Sequence, residues 1–121
     1  MNAEILQQRT KKFSLQIIQF FQALPNTTEA QVLGKQLLRS ATSVKANYRA
    51  ACRARSKAEF IAKLSIVVEE ADETLLWLEL IEESNLAKVE DSLKKEAKEI
   101  LFIMSASRKS AKGRDEQSPN N

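Results

Sequence analysis

The sequence contains no histidine, which removes the commonest general base and the commonest metal ligand of proteins. It also excludes Glu-x-x-His di-iron sites, the usual chemistry of four-helix bundles. The single cysteine, Cys52, forms no internal disulfide and cannot build a zinc site alone. Carboxylates, lysines and hydroxyls remain, so composition favours a protein that is not an enzyme, with no cofactor, no metal and no small-molecule substrate.

Glycine and proline occur only twice each, too few for turn-rich β architectures. No apolar run approaches the ~20 residues that span a membrane. The first four residues, 1–4, lack the basic start and the apolar stretch of a signal peptide. We therefore expect a cytoplasmic protein without a membrane partner. The chain of 121 residues, 43% of them apolar, is suited to one domain with one core.

Apolar residues at three- and four-residue spacing predict four helices, over about Glu4–Leu24, Glu29–Arg55, Lys57–Ser84 and Lys88–Ser110. Pro25 ends the first, and capping boxes at Thr28–Gln31 and Ser56–Glu59 begin the next two. Asn85 is a candidate left-handed cap after the third. Short connections between long helices predict an all-α, antiparallel up-down-up-down bundle over 1–110, followed by a disordered polar tail over 111–121.

Some apolar residues fall outside the stripes that one bundle buries. Leu38 lies among the bases of the second helix, and Leu76 and Leu80 point away from the central stripe of the third. Exposed together on a monomer they would favour association. We predict a homo-oligomer whose interface contains these three residues and Trp77.

The third helix carries a cluster of carboxylates at Glu69, Glu70, Asp72 and Glu73. Paired carboxylates perform acid–base chemistry where their environments separate their pKa values. The alternative, which we favour, is that they pair with arginines of the second helix. Arg39 and Glu73 are level across the hairpin, so we predict a structural ion pair between them.

Two polar residues are expected to have structural roles. Asn47 lies on the apolar side of the second helix, where a buried amide would fix packing register through hydrogen bonds. Cys52 is expected to behave as a small buried apolar group.

Charge is sorted along the chain although the net charge is only +3. From Lys35 to Lys63 there are eight bases and one acid, whereas from Glu69 to Glu99 there are eleven acids and four lysines. Antiparallel folding brings the start of helix one, the end of helix two, the start of helix three and the end of helix four together. We call this the basic end, and it collects Arg9, Lys11, Lys12, Arg49, Arg53, Arg55, Lys57, Lys63, Arg108 and Lys109, with Lys112 and Arg114 of the tail. The far end collects Glu29, Glu79, Glu82, Glu83, Glu90 and Asp91.

The basic end has two interpretations. Its residues are either solvated helix faces with local ion pairs, or a site for a polyanion, most naturally nucleic acid. No aromatic residue is interleaved with the bases, so the second interpretation predicts phosphate contacts without base stacking. The predicted contacts are Arg49, Arg53, Arg55, Lys57, Lys63, Arg108 and Lys109. In a protein–protein assembly module, by contrast, the charge would only steer partners.

Three ordered motifs carry a resemblance to a known family. They are R-S-A-T-S-V-K-A-N at 39–47, S-K-A-E-F-I-A-K-L at 56–64 and E-A-D-E-T-L-L-W-L at 70–78. They cover about a third of the chain, and the sequence resembles the bacterial four helix bundle protein family, also called the 23S rRNA-intervening-sequence protein family. Ala50 departs from the pattern, because members often carry glutamate there.

The resemblance implies a four-helix bundle that assembles into a ring-shaped homopentamer. Members are encoded within rRNA intervening sequences or elsewhere in bacterial genomes, and no catalytic residues are known that would carry over to this chain. A similar fold serves as the accessory protein of diversity-generating retroelements, a basic pentamer that binds nucleic acid and a reverse transcriptase. By that fold-level analogy, the expected partners are further copies of the chain, RNA or DNA, and a nucleic-acid enzyme such as a reverse transcriptase.

Overall fold

The computed structural model describes the backbone of residues 2–116 and the side chains of residues 2–113. It contains four helices, α1 (Ala3–Gln22), α2 (Thr28–Cys52), α3 (Lys57–Glu83) and α4 (Asp91–Glu116). Residues 2–116 contain no strand. Each helix packs against the next along the chain, and a narrower α1–α4 contact closes the bundle. The predicted all-α four-helix bundle is confirmed.

Hydrogen bonds between helices fix the antiparallel direction of α1 and α2. Lys45 of α2 donates to the Gln7 side chain of α1, and Ser14 of α1 donates to the Ala41 carbonyl of α2 at 3.4 Å. Residue numbers therefore fall along α2 as they rise along α1. The five-residue connection between the two helices is too short for any other arrangement of close neighbours.

Side chains cap the starts of α1, α2 and α3, with one difference from the prediction. Thr27, not Thr28, caps α2, and its hydroxyl accepts a hydrogen bond from the Ala30 N–H at 3.2 Å. Thr28 is already helical, so the N-cap lies one residue earlier than predicted. Gln31 does not complete a box, because its side chain donates to the Pro25 carbonyl at 3.4 Å.

The turn after α3 is a left-handed cap, as the sequence predicted. Asn85 has a φ of 60°, a conformation that asparagine tolerates better than most residues. The Leu86 N–H donates to the Ile81 carbonyl at 3.1 Å, and the Asn85 N–H donates to the Glu82 carbonyl at 3.0 Å. Val89, only 1% exposed, then anchors the connection in the core. The chain therefore turns helical at Asp91, three residues later than predicted.

α4 extends beyond its predicted end at Ser110, as far as Glu116. Ala111 is 1% exposed and continues the buried stripe of Ile100 and Met104, so the bundle still covers the helix at this position. Residues 111–116 of the predicted disordered tail are thus helical. The rest of that tail, 117–121, lies outside the described residues.

The core is formed by one apolar stripe from each helix, and its largest fully buried side chains include Phe13, Ile17, Leu37, Val44, Leu64, Leu78, Ile100 and Met104. Gly34 of α2 is buried where the end of α1 approaches. A Cβ atom there would lie 2.6 Å from Leu24 Cδ1 and 2.9 Å from Phe21 Cδ1, so glycine permits the contact. None of the described helices combines the length and apolar character needed to cross a membrane.

Candidate nucleic-acid interface

The α2–α3 connection supplies the centre of the basic end. Arg49 is exposed on the last turn of α2, and Arg53 follows as its C-cap, with its own N–H donating to the Ala50 and Ala51 carbonyls. Arg55 lies in the connection, and Lys57 is the first residue of α3. All four side chains are exposed. Because the connection reverses the chain within four residues, these cations are brought close together.

The end of α4 lies beside the start of α3. Phe60, on the first turn of α3, lines a surface pocket with Ala106, Ser107 and Ser110 of α4. The neighbouring bases Arg108 and Lys109 therefore join Lys57 at the same end, Lys109 exposed and Arg108 half-buried. Lys63 is half-buried two turns into α3. The structure thus brings together the predicted contacts from α2, α3 and α4.

Repulsion within this region shows how α1 contributes to it. The pKa of Lys45 is lowered, first by burial and then by the positive charges of Arg49, Lys11 and Arg53, while Cys52 acts in the opposite sense. Lys11 belongs to α1 and the other bases to α2 or its cap. These cations are therefore close enough to one another to disfavour the charged form of Lys45.

Most cations of the basic end have no acidic partner among the described side chains. Across the described side chains, Arg49, Arg53 and Arg55 take part in no ion pair, and the same holds for Lys57, Lys63, Arg108 and Lys109. The one acid in this stretch, Glu59, accepts from the Arg55 backbone N–H at 3.1 Å as part of the α3 capping box. The side chain of Arg114, which the sequence also assigned here, lies outside the described residues.

Arg9 was predicted at the basic end, and the structure places its charge elsewhere. Its guanidinium bonds Glu96, with Nε 3.0 Å from Oε2, and lies 3.1 Å from Glu99. These hydrogen bonds, that to Glu96 foremost, raise the pKa of Arg9 against the effect of burial. Arg9 thus joins α1 to α4. Because two acids of α4 face it, it does not add to the exposed positive charge of the basic end.

The predicted ion pair between Arg39 and Glu73 is present, with a nitrogen–oxygen distance of 2.6 Å. Arg39 also pairs with Glu70 at 2.8 Å, a partner that the sequence analysis did not assign. Glu69 and Asp72, the other two acids of the cluster, are exposed. No three metal-binding side chains converge anywhere in the described part of the chain. The carboxylate cluster is therefore organised around one arginine.

Two sequence-based assignments are wrong. Cys52 is exposed, not buried. Lys45 of α2 bonds Gln7 of α1. Cys52 follows Lys45 by seven residues and therefore lies level with the start of α1, where no described residue covers it. Asn47 is half-buried, and its amide donates to the Ser43 carbonyl and hydroxyl at 3.0 and 2.9 Å. Its bonds stay within α2 and fix no register between helices.

The residues predicted to form an oligomer interface differ in their exposure. Leu76 and Leu80 are 46% and 40% exposed, and Val32 of α2 is 56% exposed. Leu38, by contrast, is half-buried against the core, because it shares the side of α2 that faces α1 with Gly34 and Lys45. Trp77 is also half-buried and packs against the core. Its indole Nε1 is buried with no hydrogen-bond partner among the described residues.

A groove on the outer face of α4 was not predicted from the sequence. Phe102 is 75% exposed, the most exposed large apolar side chain in the described structure. It contributes to an open groove of about 760 Å³ whose other lining residues are Arg9, Asp91, Lys94, Lys95, Lys98, Glu99 and Ile103. The signal was available in the helical period, because Phe102 lies opposite the stripe that contains Ile100 and Met104.

Comparison with known proteins identifies relatives of the whole bundle. The family model described as 23S rRNA-intervening sequence protein matches residues 3–106. A crystal structure of a protein of unknown function from the S23 ribosomal protein family of Bacteroides thetaiotaomicron VPI-5482 superposes with a TM-score of 0.82. The two chains are 34% identical, and the alignment covers 90% of this chain and 99% of the other. No curated protein gives a significant match.

The family match covers α1, α2, α3 and α4 as far as residue 106, including the three motifs on α2 and α3 and the basic connection between them. The chain therefore belongs to the 23S rRNA-intervening sequence protein family.

Proposed function

We propose that the protein is a non-enzymatic, cytoplasmic homo-oligomeric scaffold, a pentamer, that binds nucleic acid or a nucleoprotein partner through its basic end. The observation that carries this proposal is the set of cations at that end that form no ion pair with any described carboxylate. One end of each of the four helices contributes to it, and Lys45 is held there among Arg49, Lys11 and Arg53 despite their repulsion. Such a concentration of positive charge is the electrostatic footprint of a polyanion site.

The contacts expected at this site are with phosphates. Arginine presents a planar fork that bonds phosphate oxygens in pairs, so Arg49, Arg53 and Arg55 are the primary contacts. Each phosphate that is neutralised releases counterions, so affinity falls as salt rises. A ring of identical subunits repeats the arginines, and simultaneous engagement multiplies weak single contacts.

The oligomer is supported by the apolar surface on α2 and α3. Val32, Leu76 and Leu80 are each at least 40% exposed, and water is an unfavourable neighbour for them. The number of five subunits comes from the family resemblance. Light scattering at micromolar concentration tests the assembly, and a monomer mass would reject it. Leu80→Glu is expected to lower the mass by placing a charge in the apolar contact.

The binding test compares two charge-reversal variants that change net charge equally. One carries Arg53→Glu and Arg55→Glu, both outside the helices. The control carries Lys35→Glu and Lys88→Glu, which are exposed and lie in the first half of α2 and in the α3–α4 connection, toward the opposite end of the bundle. Fluorescence anisotropy would measure binding of single-stranded and duplex RNA and DNA at 50 mM salt. We expect the first variant to lose at least about tenfold in affinity and the control to lose much less, because only the first removes phosphate contacts.

The salt dependence provides a second check. Wild-type affinity should fall steeply between about 50 and 200 mM salt, and the Arg53→Glu, Arg55→Glu variant should show a shallower slope. Absence of binding by the assembled wild type, or equal binding by both variants, would exclude the nucleic-acid role.

A protein–protein assembly module is the second candidate function. It is favoured by the exposed Leu76 and Leu80 and by the buried indole N–H of Trp77, which lacks a partner in the described structure. In that case the oligomer would form normally, and the basic end would serve to steer an acidic protein partner such as a nucleic-acid enzyme. Retained assembly together with no nucleic-acid binding is the result that this candidate predicts.

A further inference from the structure

The groove on the outer face of α4 combines an exposed aromatic ring with lysines. We infer that Phe102 is a stacking platform for an unpaired nucleobase, and that Lys95 and Lys98 hold the phosphates beside it. This inference rests on the proposed function and makes it more specific, because it names single-stranded nucleic acid as the ligand.

The position of the groove connects it to the basic end. Lys95, Lys98, Phe102 and Lys109 are separated by three, four and seven residues along α4, and therefore lie on one face of the helix. Lys109 belongs to the basic end, and Phe102 lies two turns before it. A single strand of nucleic acid bound at the basic end can continue along this face without crossing acidic side chains that lack an ion-pair partner.

The charges that line the groove are mostly paired with one another or with their neighbours. Glu99 lies 3.1 Å from Arg9, and Lys94 pairs with Glu82 at 2.8 Å and with Asp91 at 3.6 Å. Within the described side chains, Lys95 and Lys98 form no ion pair. Lys95 and Lys98 are therefore the lysines of the groove that remain available to phosphates.

The exposed aromatic ring of Phe102 favours one class of anionic ligand over the others. At 75% exposure the face of Phe102 is open to a flat partner, and every nucleobase presents such a face. The face of an aromatic ring carries partial negative charge, so the carboxylates of an acidic peptide gain nothing from it. Bases in a duplex are already stacked on each other and cannot reach the ring. A single strand alone offers phosphates for the lysines and a free base for Phe102.

The test uses two oligonucleotides of equal length and charge, a single-stranded oligo(dT) and its abasic counterpart. Anisotropy titrations at 50 mM salt would measure both with the assembled wild type. We expect a preference for the base-bearing strand of about fivefold to a hundredfold, the range that base–aromatic stacking produces in alanine substitutions. Binding of the abasic strand reports the phosphate contacts of the proposed function alone.

Two substitutions of Phe102 distinguish the effect of its aromatic face from the effect of its apolar surface. Phe102→Tyr keeps an aromatic face and should keep the preference. Phe102→Leu keeps an apolar side chain without that face and should reduce the preference to about onefold, with abasic binding unchanged. Leu15→Ala, which shortens another exposed apolar residue on α1, is the control and should leave both affinities at the wild-type values. Light scattering would establish that each variant assembles.

The outcomes distinguish failure of nucleic-acid binding as a whole from failure of base stacking on Phe102 alone. If the wild type binds neither strand, the proposed function fails, and the stacking platform fails with it. If the wild type binds both strands equally, or Phe102→Leu keeps the preference, phosphate binding stands and the stacking platform is rejected. The groove would then be a surface for a protein partner.

Discussion

The hydroxyl oxygens of Ser40 and Thr74 lie 2.9 Å apart between α2 and α3, with both residues at most 1% exposed. Ser40 also donates to the Leu37 carbonyl at 3.2 Å, and the Thr74 hydroxyl lies 2.8 Å from the Glu70 carbonyl. Both buried hydroxyls are therefore satisfied, and their contact specifies one alignment of the two helices. We expect Ser40→Ala and Thr74→Val each to lower the free energy of unfolding by about 1 kcal/mol.

The double substitution should cost less than the sum of the two single ones, because it leaves neither hydroxyl without its cross-helix partner. Urea unfolding of the four proteins measures this coupling. Strictly additive costs would show that the two hydroxyls do not interact.

Arg39 has two partners that differ in exposure. The Glu70 side chain is 12% exposed and that of Glu73 is 40% exposed. Burial acts to lower the pKa of Arg39, but the charges of Glu70 and then Glu73 outweigh it, and the pKa is raised. Screening by water is weaker at the buried partner, so Glu70→Gln should destabilise more than Glu73→Gln, whose cost should lie within ~0–1 kcal/mol. Double-mutant cycles with Arg39→Met would measure both couplings, and equal couplings would contradict the ranking.

Gly34 and Gly113 provide a matched pair of glycines inside helices. At Gly34 an added Cβ would lie 2.6 Å from Leu24 Cδ1, whereas at Gly113 nothing lies within 4 Å. Alanine is favoured over glycine in a helix by up to ~1 kcal/mol, but overpacking typically costs ~1–3 kcal/mol. We therefore expect Gly34→Ala to destabilise by about 1 kcal/mol and Gly113→Ala to stabilise slightly. Thermal unfolding of both variants tests this, and a stabilising Gly34→Ala would mean that the end of α1 gives way.

Lys45 is held in its charged form at a cost, because burial and its cationic neighbours lower its pKa. Between the folded pKa and the unfolded value near 10.5, the unfolded chain binds more protons at Lys45 than the folded chain, so this residue makes stability rise with pH across that window. Below the window the cost is fully present. Lys45→Met should therefore raise the melting temperature at neutral pH and low salt.

The gain from Lys45→Met should shrink as salt screens the repulsion from Arg49, Lys11 and Arg53. Calorimetry at about 20 mM and about 500 mM salt measures both effects. A gain that is independent of salt would assign the stabilisation to the added apolar contact and not to relief of charge.

The sequence predicted the helices well because their apolar stripes are long and regular. Leu64, Leu78 and Ile81 of α3 are all fully buried, as the period required. The ends were less well predicted, since they depend on tertiary packing. Val89 enters the core without being helical, and Ala111 keeps α4 in contact with the bundle beyond its predicted end. Neither effect is visible in a pattern of single residues.

The candidate site was predicted in outline, and its errors share one cause. Antiparallel folding alone sufficed to gather the bases at one end. Whether a given base keeps its charge available depends on which neighbour it meets, and Arg9 meets Glu96 across the α1–α4 contact. Similarly, the exposure of Cys52 depends on whether the start of α1 extends far enough to cover the end of α2. Such alignments between helices follow from the packed structure and not from the period of one helix.

Trp77 is the single tryptophan of the chain, and its indole N–H is buried without an acceptor in the described structure. Its ultraviolet emission therefore reports on one place only, the side of α3 next to Leu76 and Leu80. In an apolar setting without a hydrogen-bond acceptor, indole emits at shorter wavelength than in water. Any event that brings water or a polar group to this face shifts the emission to longer wavelength. The protein thus carries an intrinsic optical probe of this face of α3, which needs no label and can be followed during dilution.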